Sequence, residues 1–144
     1  MNFLVNIDVD DLDKAIGFYT SALGLKAGRR FGALGVELLG GNAPICLLAK
    51  QAGTAACETS AQRRTYERHW TPVHLDVVVE DIDKATQRAI AAGARLEKPI
   101  TTGKWGKLAL MADPFGHGMC FVQFIGRGYD EIADQRAASG PAAE

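Results

Sequence analysis

The sequence predicts an α+β fold of two tandem βαβββ modules, chiefly because part of it is repeated. Residues 9–15 (VDDLDKA) recur seventy positions later as residues 79–85 (VEDIDKA), with five of the seven positions identical. A stretch with period-two alternation precedes each copy, which favours a strand, and apolar residues at helical spacing follow it. A repeat of this kind indicates two copies of one structural unit.

The first module is predicted to span residues 3–50. Its opening strand covers residues 3–9, Asp11 is placed to cap the following helix, and Gly24 is placed to end that helix. Two strands and the turn between them complete the module: residues 29–39, residues 44–49 and Gly40-Gly41-Asn42.

The second module, residues 73–125, repeats this plan with a strand at 73–79 and a helix between Asp81 and Gly93. Its remaining strands are predicted at residues 96–100, 107–111 and 119–124. The connection between the modules (residues 51–72) is longer than a typical loop and is expected to form a flap or a helical turn. Both modules form one domain, residues 1–125, and a polar tail, residues 126–144, is expected to fray past about Ala137.

The composition is that of a water-soluble protein with no general affinity for polyanions. The formal net charge is −1, with 47% apolar and 23% charged residues, so we expect neither nucleic acid nor a membrane as a partner. Acidic residues within the first dozen positions argue against a targeting peptide. The three cysteines are widely separated, which favours a reducing, cytoplasmic setting over a disulfide framework.

Three stretches of the chain together form a distinctive combination of motifs: VDDLDKAIGFYTSALGL (9–25), VVEDIDKATQRAIAAGARL (78–96) and MADPFGHGMCFVQF (111–124). They resemble the vicinal oxygen chelate superfamily, which includes glyoxalase I, bleomycin-resistance proteins and extradiol dioxygenases. The resemblance implies two curved mixed sheets that enclose a cleft. It also implies a homodimer, and leaves open whether each cleft lies within one chain or is shared by two exchanged modules.

Enzymes of that superfamily hold one divalent metal with side chains from the first and last strands of each module, usually histidine and glutamate. The matching positions here are Leu4, Cys46, His74 and Cys120. Only His74 keeps the ligand type, so we expect no bound metal and no other cofactor. An open zinc-type site made by Cys46, His74 and Cys120 remains the alternative, although apolar neighbours disfavour the thiolate form that a metal needs.

The candidate ligand-binding cleft is defined by these four positions, by polar residues in phase with them on the first strands, by a carboxylate on a middle strand and by an aromatic residue that could form a wall. Its predicted members are Leu4, Asn6, Glu37, Cys46, His74, Asp76, Trp105 and Cys120. His74 and Glu37 are the candidate catalytic residues, because a histidine and a carboxylate can exchange protons near neutral pH. His117 lies in a turn and is expected to be exposed or to pair with the connection.

Three functions fit these residues. The first is metal-independent binding of a small, partly aromatic molecule in the cleft, for which an apolar cavity with a few polar anchors is enough. The second is a lyase or isomerase of glyoxalase type that uses His74 with a cleft carboxylate, with or without a metal. The third is a regulatory module whose dimer surface matters most.

Overall fold

The computed structural model describes residues 1–134, which form two sheets with one α-helix packed on each. The first module contains β1 (Val5–Val9), α1 (Leu12–Leu23), β2 (Lys26–Arg30), β3 (Gly35–Leu39) and β4 (Ile45–Ala49). The second contains β5 (Leu75–Val78), α2 (Ile82–Ala91), β6 (Arg95–Leu96), β7 (Thr101–Thr102), β8 (Gly106–Ala112) and β9 (Gly118–Phe124). A short 3-10 helix, Gly128–Glu131, follows β9. The predicted α+β class is confirmed.

The two sheets share one topology, as the repeat requires. Their strand orders are β1-β4-β3-β2 and β5-β9-β8-β6, and β7 also pairs with β8. In each sheet the first strand pairs in parallel with the last strand of its module, and the other pairs are antiparallel. The strands β1 and β5 are therefore both edge strands.

Both helices begin as their sequences predict. The Asp11 side chain accepts a hydrogen bond from the Lys14 amide at 2.9 Å, and Asp81 does the same for Lys84 at 3.0 Å. Each carboxylate satisfies an amide that has no partner within the helix. At the end of α1, Gly24 adopts φ 69°, a left-handed conformation that glycine takes without strain.

The single strand predicted at residues 29–39 is wrong. The structure has two strands there, β2 and β3, separated by a turn in which Gly32 adopts φ 60°. The Phe31 amide donates to the Gly35 carbonyl at 2.9 Å, so the chain reverses within four residues. The apolar residues on both sides of Gly32 concealed this turn.

The strand predicted at residues 96–100 is also wrong. Only Leu96 of that range lies in a strand, β6, and the next strand, β7, begins at Thr101. Pro99 has no amide hydrogen to donate to a neighbouring strand, which explains the interruption.

One hydrophobic core joins the two modules. It includes Ala15 and Phe18 of α1 together with Ala85 and Ala89 of α2. Polar contacts cross the same boundary: the Arg88 guanidinium donates from Nε to the Ala22 carbonyl at 2.9 Å. The packing of the helices therefore sets the position of one sheet relative to the other.

The connection contains no helix, so the helical-turn alternative is wrong. Instead it crosses the surface in an irregular path, and hydrogen bonds attach it to both modules. Arg64 Nε donates to Asp8 Oδ2 at 2.7 Å, the Tyr66 hydroxyl donates to the Lys50 carbonyl at 2.5 Å, and the His69 amide donates to the Gly116 carbonyl at 3.1 Å.

None of the helices within residues 1–134 is long and apolar enough to cross a bilayer. The fraying predicted past Ala137 concerns residues outside the described range.

Candidate functional site

The first module presents three of the predicted cleft residues side by side. Asn6 on β1 is paired with Cys46 on β4, which is in turn paired with Glu37 on β3. We call these three residues the module-one row. Cys46 and Glu37 are buried, whereas Leu4, which immediately precedes β1, is largely exposed.

Glu37 is held by an arginine. Arg29 donates from Nε to Glu37 Oε2 at 2.9 Å and from Nη2 to Oε1 at 2.7 Å, which is a two-bond geometry. These hydrogen bonds lower the pKa of the Glu37 carboxyl below its usual value. A general base with a lowered pKa is a weak one at neutral pH. The catalytic role of Glu37 stays a prediction, and it requires Arg29 to move away.

The second module presents the equivalent row with different side chains. Asp76 on β5 is paired with Cys120 on β9, which is paired with Leu110 on β8. His74 precedes β5, and its Nε2 atom lies 3.2 Å from Asp76 Oδ1. One donor atom from each of His74, Asp76 and Cys120 lies within 4.8 Å of the others, and within residues 1–134 no other group of three or more His, Cys, Asp or Glu side chains has this proximity. We call these three residues the module-two cluster.

Burial and the nearby Asp76 carboxylate raise the pKa of the Cys120 thiol to about 11. The thiol is therefore protonated at neutral pH, and it is neither a ready nucleophile nor a ready metal ligand.

The metal-binding set implied by the superfamily does not fit the residues present. Leu4 has no donor atom, and the thiols of Cys46 and Cys120 occupy the positions of the two carboxylates. The alternative set of Cys46, His74 and Cys120 is not assembled within one chain, because Cys46 lies on the other sheet and outside the module-two cluster. That no metal is needed remains a prediction.

A cavity of about 410 Å³ lies between the edge strands β1 and β5, and we call it the seam cavity. All three histidines of the chain line it. Other polar side chains at its wall come from Asn6, Asp8 and Thr71. The remaining wall is mainly apolar and is formed by Val5, Ile7, Tyr19, Leu23, Ile45, Val73, Leu75, Val77 and Met119.

A smaller cavity of about 250 Å³ adjoins the seam cavity. The two share Thr71, His74, Gly118 and Met119. The smaller one also reaches Cys120 and is bordered by Trp70, whose side chain is exposed. His74 therefore stands where the two cavities meet, and Asp76 is within reach of its ring.

His117 pairs with the connection, which was one of its two expected environments. Its Nδ1 atom lies 3.0 Å from Nε2 of His69, and its Nε2 atom lies 2.7 Å from the Asp8 carbonyl oxygen. His69 was not among the site residues predicted from the sequence. It lies in a charged segment without periodicity, so no local pattern could have brought it to His117.

Trp105 belongs to an aromatic cluster at the far end of the second sheet. Its ring centroid lies 5.2 Å from that of Tyr129 and 6.3 Å from that of Phe124. The 3-10 helix that carries Tyr129 lies in the segment predicted to be a tail, so this packing was missed. The role of Trp105 as a cleft wall stays a prediction, and it does not line the seam cavity or the smaller one.

The reactivity of the thiols tests the placement of the cysteines in this structure. Cys57 is exposed, and its hydrogen bond to Thr59 lowers the pKa of its thiol. At pH 8 a thiol with a pKa of about 11 is ionised in only roughly one molecule in a thousand. We expect a thiol reagent to modify Cys57 rapidly and Cys120 slowly, as measured by peptide mass mapping. In denaturant the two should react at similar rates, and rapid labelling of Cys120 in the native protein would contradict its placement.

Comparison with solved structures identifies the fold. A fosfomycin resistance protein from Listeria monocytogenes has a TM-score of 0.66 and 17% identity, covering 87% of this chain and 93% of that one. A glyoxalase/bleomycin resistance protein/dioxygenase from Alicyclobacillus acidocaldarius has a TM-score of 0.63 and 19% identity, covering 93% and 96%. A lactoylglutathione lyase from Agrobacterium tumefaciens has a TM-score of 0.60 and 19% identity, covering 85% and 92%.

These neighbours have the fold that the sequence motifs implied. Residues 4–122 match the model of the glyoxalase-like domain, so the chain belongs to that family and, as the motifs implied, to the vicinal oxygen chelate superfamily. Uncharacterized proteins of Mycobacterium bovis and Mycobacterium tuberculosis are 42% identical over 72 residues, which is 49% of this chain. The matched region spans only 47% and 42% of their lengths.

Proposed function

We propose that the protein binds a small, partly aromatic molecule in the seam cavity and does so without a metal ion. The observation that supports this most directly is the cavity itself. Its volume of about 410 Å³ lies within the range of about 300–1,000 Å³ typical of ligand sites. Such sites combine a largely apolar wall with a few polar groups that orient the ligand.

The lining suggests how a ligand would lie. An aromatic or aliphatic part would pack against the apolar wall, near Leu23 and Val77. A polar part would face Asn6, which lies on β1, and His74, which immediately precedes β5. The adjoining smaller cavity gives a longer ligand room to extend toward Cys120.

A second copy of the chain is the proposed protein partner. Four large apolar side chains are exposed in the segments that lead into the two edge strands: Phe3 and Leu4 before β1, and Trp70 and Val73 before β5. Exposed large apolar side chains are suited to an interaction surface. A homodimer that covers these side chains would also shield the cavities. The compartment that we propose is the cytoplasm, because the three cysteines are free and suit a reducing environment.

A lyase or isomerase of glyoxalase type is the second candidate function. The observation in its favour is the 3.2 Å distance between His74 Nε2 and Asp76 Oδ1 beside both cavities. A carboxylate at this distance can orient an imidazole for proton transfer. Asp76 fits that role better than Glu37, because Arg29 already occupies both oxygens of Glu37.

Screening of aromatic fragments by ligand-observed NMR tests the binding proposal. Fragments that bind the wild-type protein in metal-free buffer should bind His74→Ala at least about tenfold more weakly, equivalent to about 1.4 kcal/mol. Thr101→Ala changes an exposed residue outside both cavities and is the matched control. Binding that is unchanged in His74→Ala would contradict the proposal. Metal-free turnover of the methylglyoxal–glutathione hemithioacetal that is lost in His74→Ala would favour the enzyme instead.

A further inference from the structure

The two histidines that join the connection to the turn before β9 have a defined pattern of hydrogen bonds. His69 Nδ1 lies 2.9 Å from the Glu67 carbonyl oxygen, and His117 Nε2 lies 2.7 Å from the Asp8 carbonyl oxygen. A carbonyl oxygen can only accept, so each of these two nitrogens must have a hydrogen. In a neutral imidazole the other nitrogen then presents a lone pair.

Those two remaining nitrogens face each other. They are Nε2 of His69 and Nδ1 of His117, and they lie 3.0 Å apart. Two lone pairs at this distance repel unless a cation lies between them. A single extra proton shared by the two rings removes this repulsion. A metal ion bound by both nitrogens removes it as well.

The geometry also meets the requirements of metal ligation. Two nitrogens bound at about 2.0–2.1 Å to one ion lie about 3.0 Å apart when the angle at the ion is slightly above 90°. Histidines that bind metals usually donate their second N–H to a carboxylate or a backbone carbonyl, which fixes the ring. Both rings here already have that support, from the carbonyls of Glu67 and Asp8.

We propose that His69 and His117 form a binding site for a late first-row divalent cation, such as Cu²⁺, Ni²⁺ or Zn²⁺, in which the ion replaces the shared proton. The class of ion follows from the ligands, because imidazole suits these metals and carboxylate oxygens, preferred by Mg²⁺ and Ca²⁺, are not among the donors. The site is separate from the module-two cluster and does not depend on the proposed ligand-binding function.

The remaining coordination positions are open to solvent. His69 and His117 line the seam cavity and also a third cavity, of about 480 Å³, beside the connection. Water can complete the coordination from either side. The ion would also tie the connection to the turn before β9, so metal binding and fastening of the connection are linked.

Metal titration of tag-free protein tests the site, because the chain has only three histidines and each can be changed in turn. Isothermal titration calorimetry with Ni²⁺ should show one site in the wild type. Losing an outer-shell partner alone typically costs about 10- to 100-fold in metal affinity, so His69→Ala and His117→Ala should each weaken binding at least that much. His74→Ala and Cys120→Ala should leave the affinity unchanged, and Cys57→Ser excludes the exposed thiol as a ligand.

Two further measurements separate this site from incidental binding. Cu²⁺ electron paramagnetic resonance should show coupling to two nitrogens in the wild type and to one in either variant. A metal concentration a hundred times the dissociation constant should raise the Tm by roughly 5 to 10 °C, and only when both histidines are present. Equal binding by the wild type and His69→Ala, or no binding by the wild type, would overturn the proposal and leave the pair as a shared-proton contact.

Discussion

Replacing Gly116 with alanine should lower the free energy of unfolding by about 3 kcal/mol or more, because steric and backbone effects add at this position. Gly116 adopts φ 82°, where an L-residue is strained. A Cβ built there would lie 2.0 Å from the Glu67 carbonyl oxygen and 2.9 Å from that of Tyr66, and both are backbone atoms. The connection must therefore move away from the turn before β9, with loss of the hydrogen bond from the His69 amide to Gly116.

Gly53→Ala is the matched control for that substitution. Gly53 lies in the connection and adopts a similar φ of 78°, but nothing lies within 4 Å of the position of its Cβ. Gly53→Ala should lower the free energy of unfolding only by the cost of the backbone strain, about 1–2 kcal/mol. Urea denaturation followed by circular dichroism measures both values. Equal losses for the two variants would mean that the connection does not rest against Gly116.

Much of the fold was predictable because its determinants are local and occur twice. The residue type at Asp11 and Asp81, together with the apolar spacing that follows, defines the start of a helix without reference to the rest of the chain. The two errors at strand boundaries arose at Gly32 and Pro99. In both cases a single residue interrupts an otherwise strand-like pattern, so its effect depends on the backbone conformation that the neighbours impose.

The candidate site was predictable only within each module. The repeat placed Asn6 and Asp76 at equivalent positions, and the structure shows the same cross-strand neighbours, Cys46 and Cys120. The pairing of Glu37 with Arg29 required the bulge between β2 and β3, which sequence spacing does not reveal. The meeting of His69 and His117 depends on the path of an irregular connection, and such paths are set by tertiary contacts.

The connection has a larger part in the site than its sequence indicated. It contributes His69 and Thr71 to the seam cavity, and Arg68 and Trp70 to the smaller one. Arg68 is in turn paired with Glu97 at 2.5 Å and lies against Gly118. Substitutions that release the connection should therefore change access to both cavities as well as the stability of the fold.

Asp113→Ala should be at least as destabilising as Gly116→Ala. The Asp113 side chain is buried and accepts three hydrogen bonds: from the Tyr19 hydroxyl at 2.5 Å, from the Phe115 amide at 2.8 Å and from the His117 amide at 2.8 Å. Each buried donor left without a partner costs about 1–3 kcal/mol, so the expected loss is about 3 kcal/mol or more. The measurement is again the free energy of unfolding in urea.

A double-mutant cycle shows whether the loss of stability in Asp113→Ala comes from the contact between the modules. Burial, and then the charge of Asp113, raise the pKa of Tyr19, so its hydroxyl stays protonated and donates across the boundary between α1 and the turn before β9. Tyr19→Phe alone should cost about 1–2 kcal/mol. In Tyr19→Phe/Asp113→Ala the hydroxyl is no longer left unsatisfied, so the combined loss should fall short of the sum by about 1 kcal/mol or more. Strict additivity would mean that Asp113 acts only within its own turn. A clear shortfall would show that the turn carrying His117, and with it one wall of the seam cavity, is held in place by the helix of the other module.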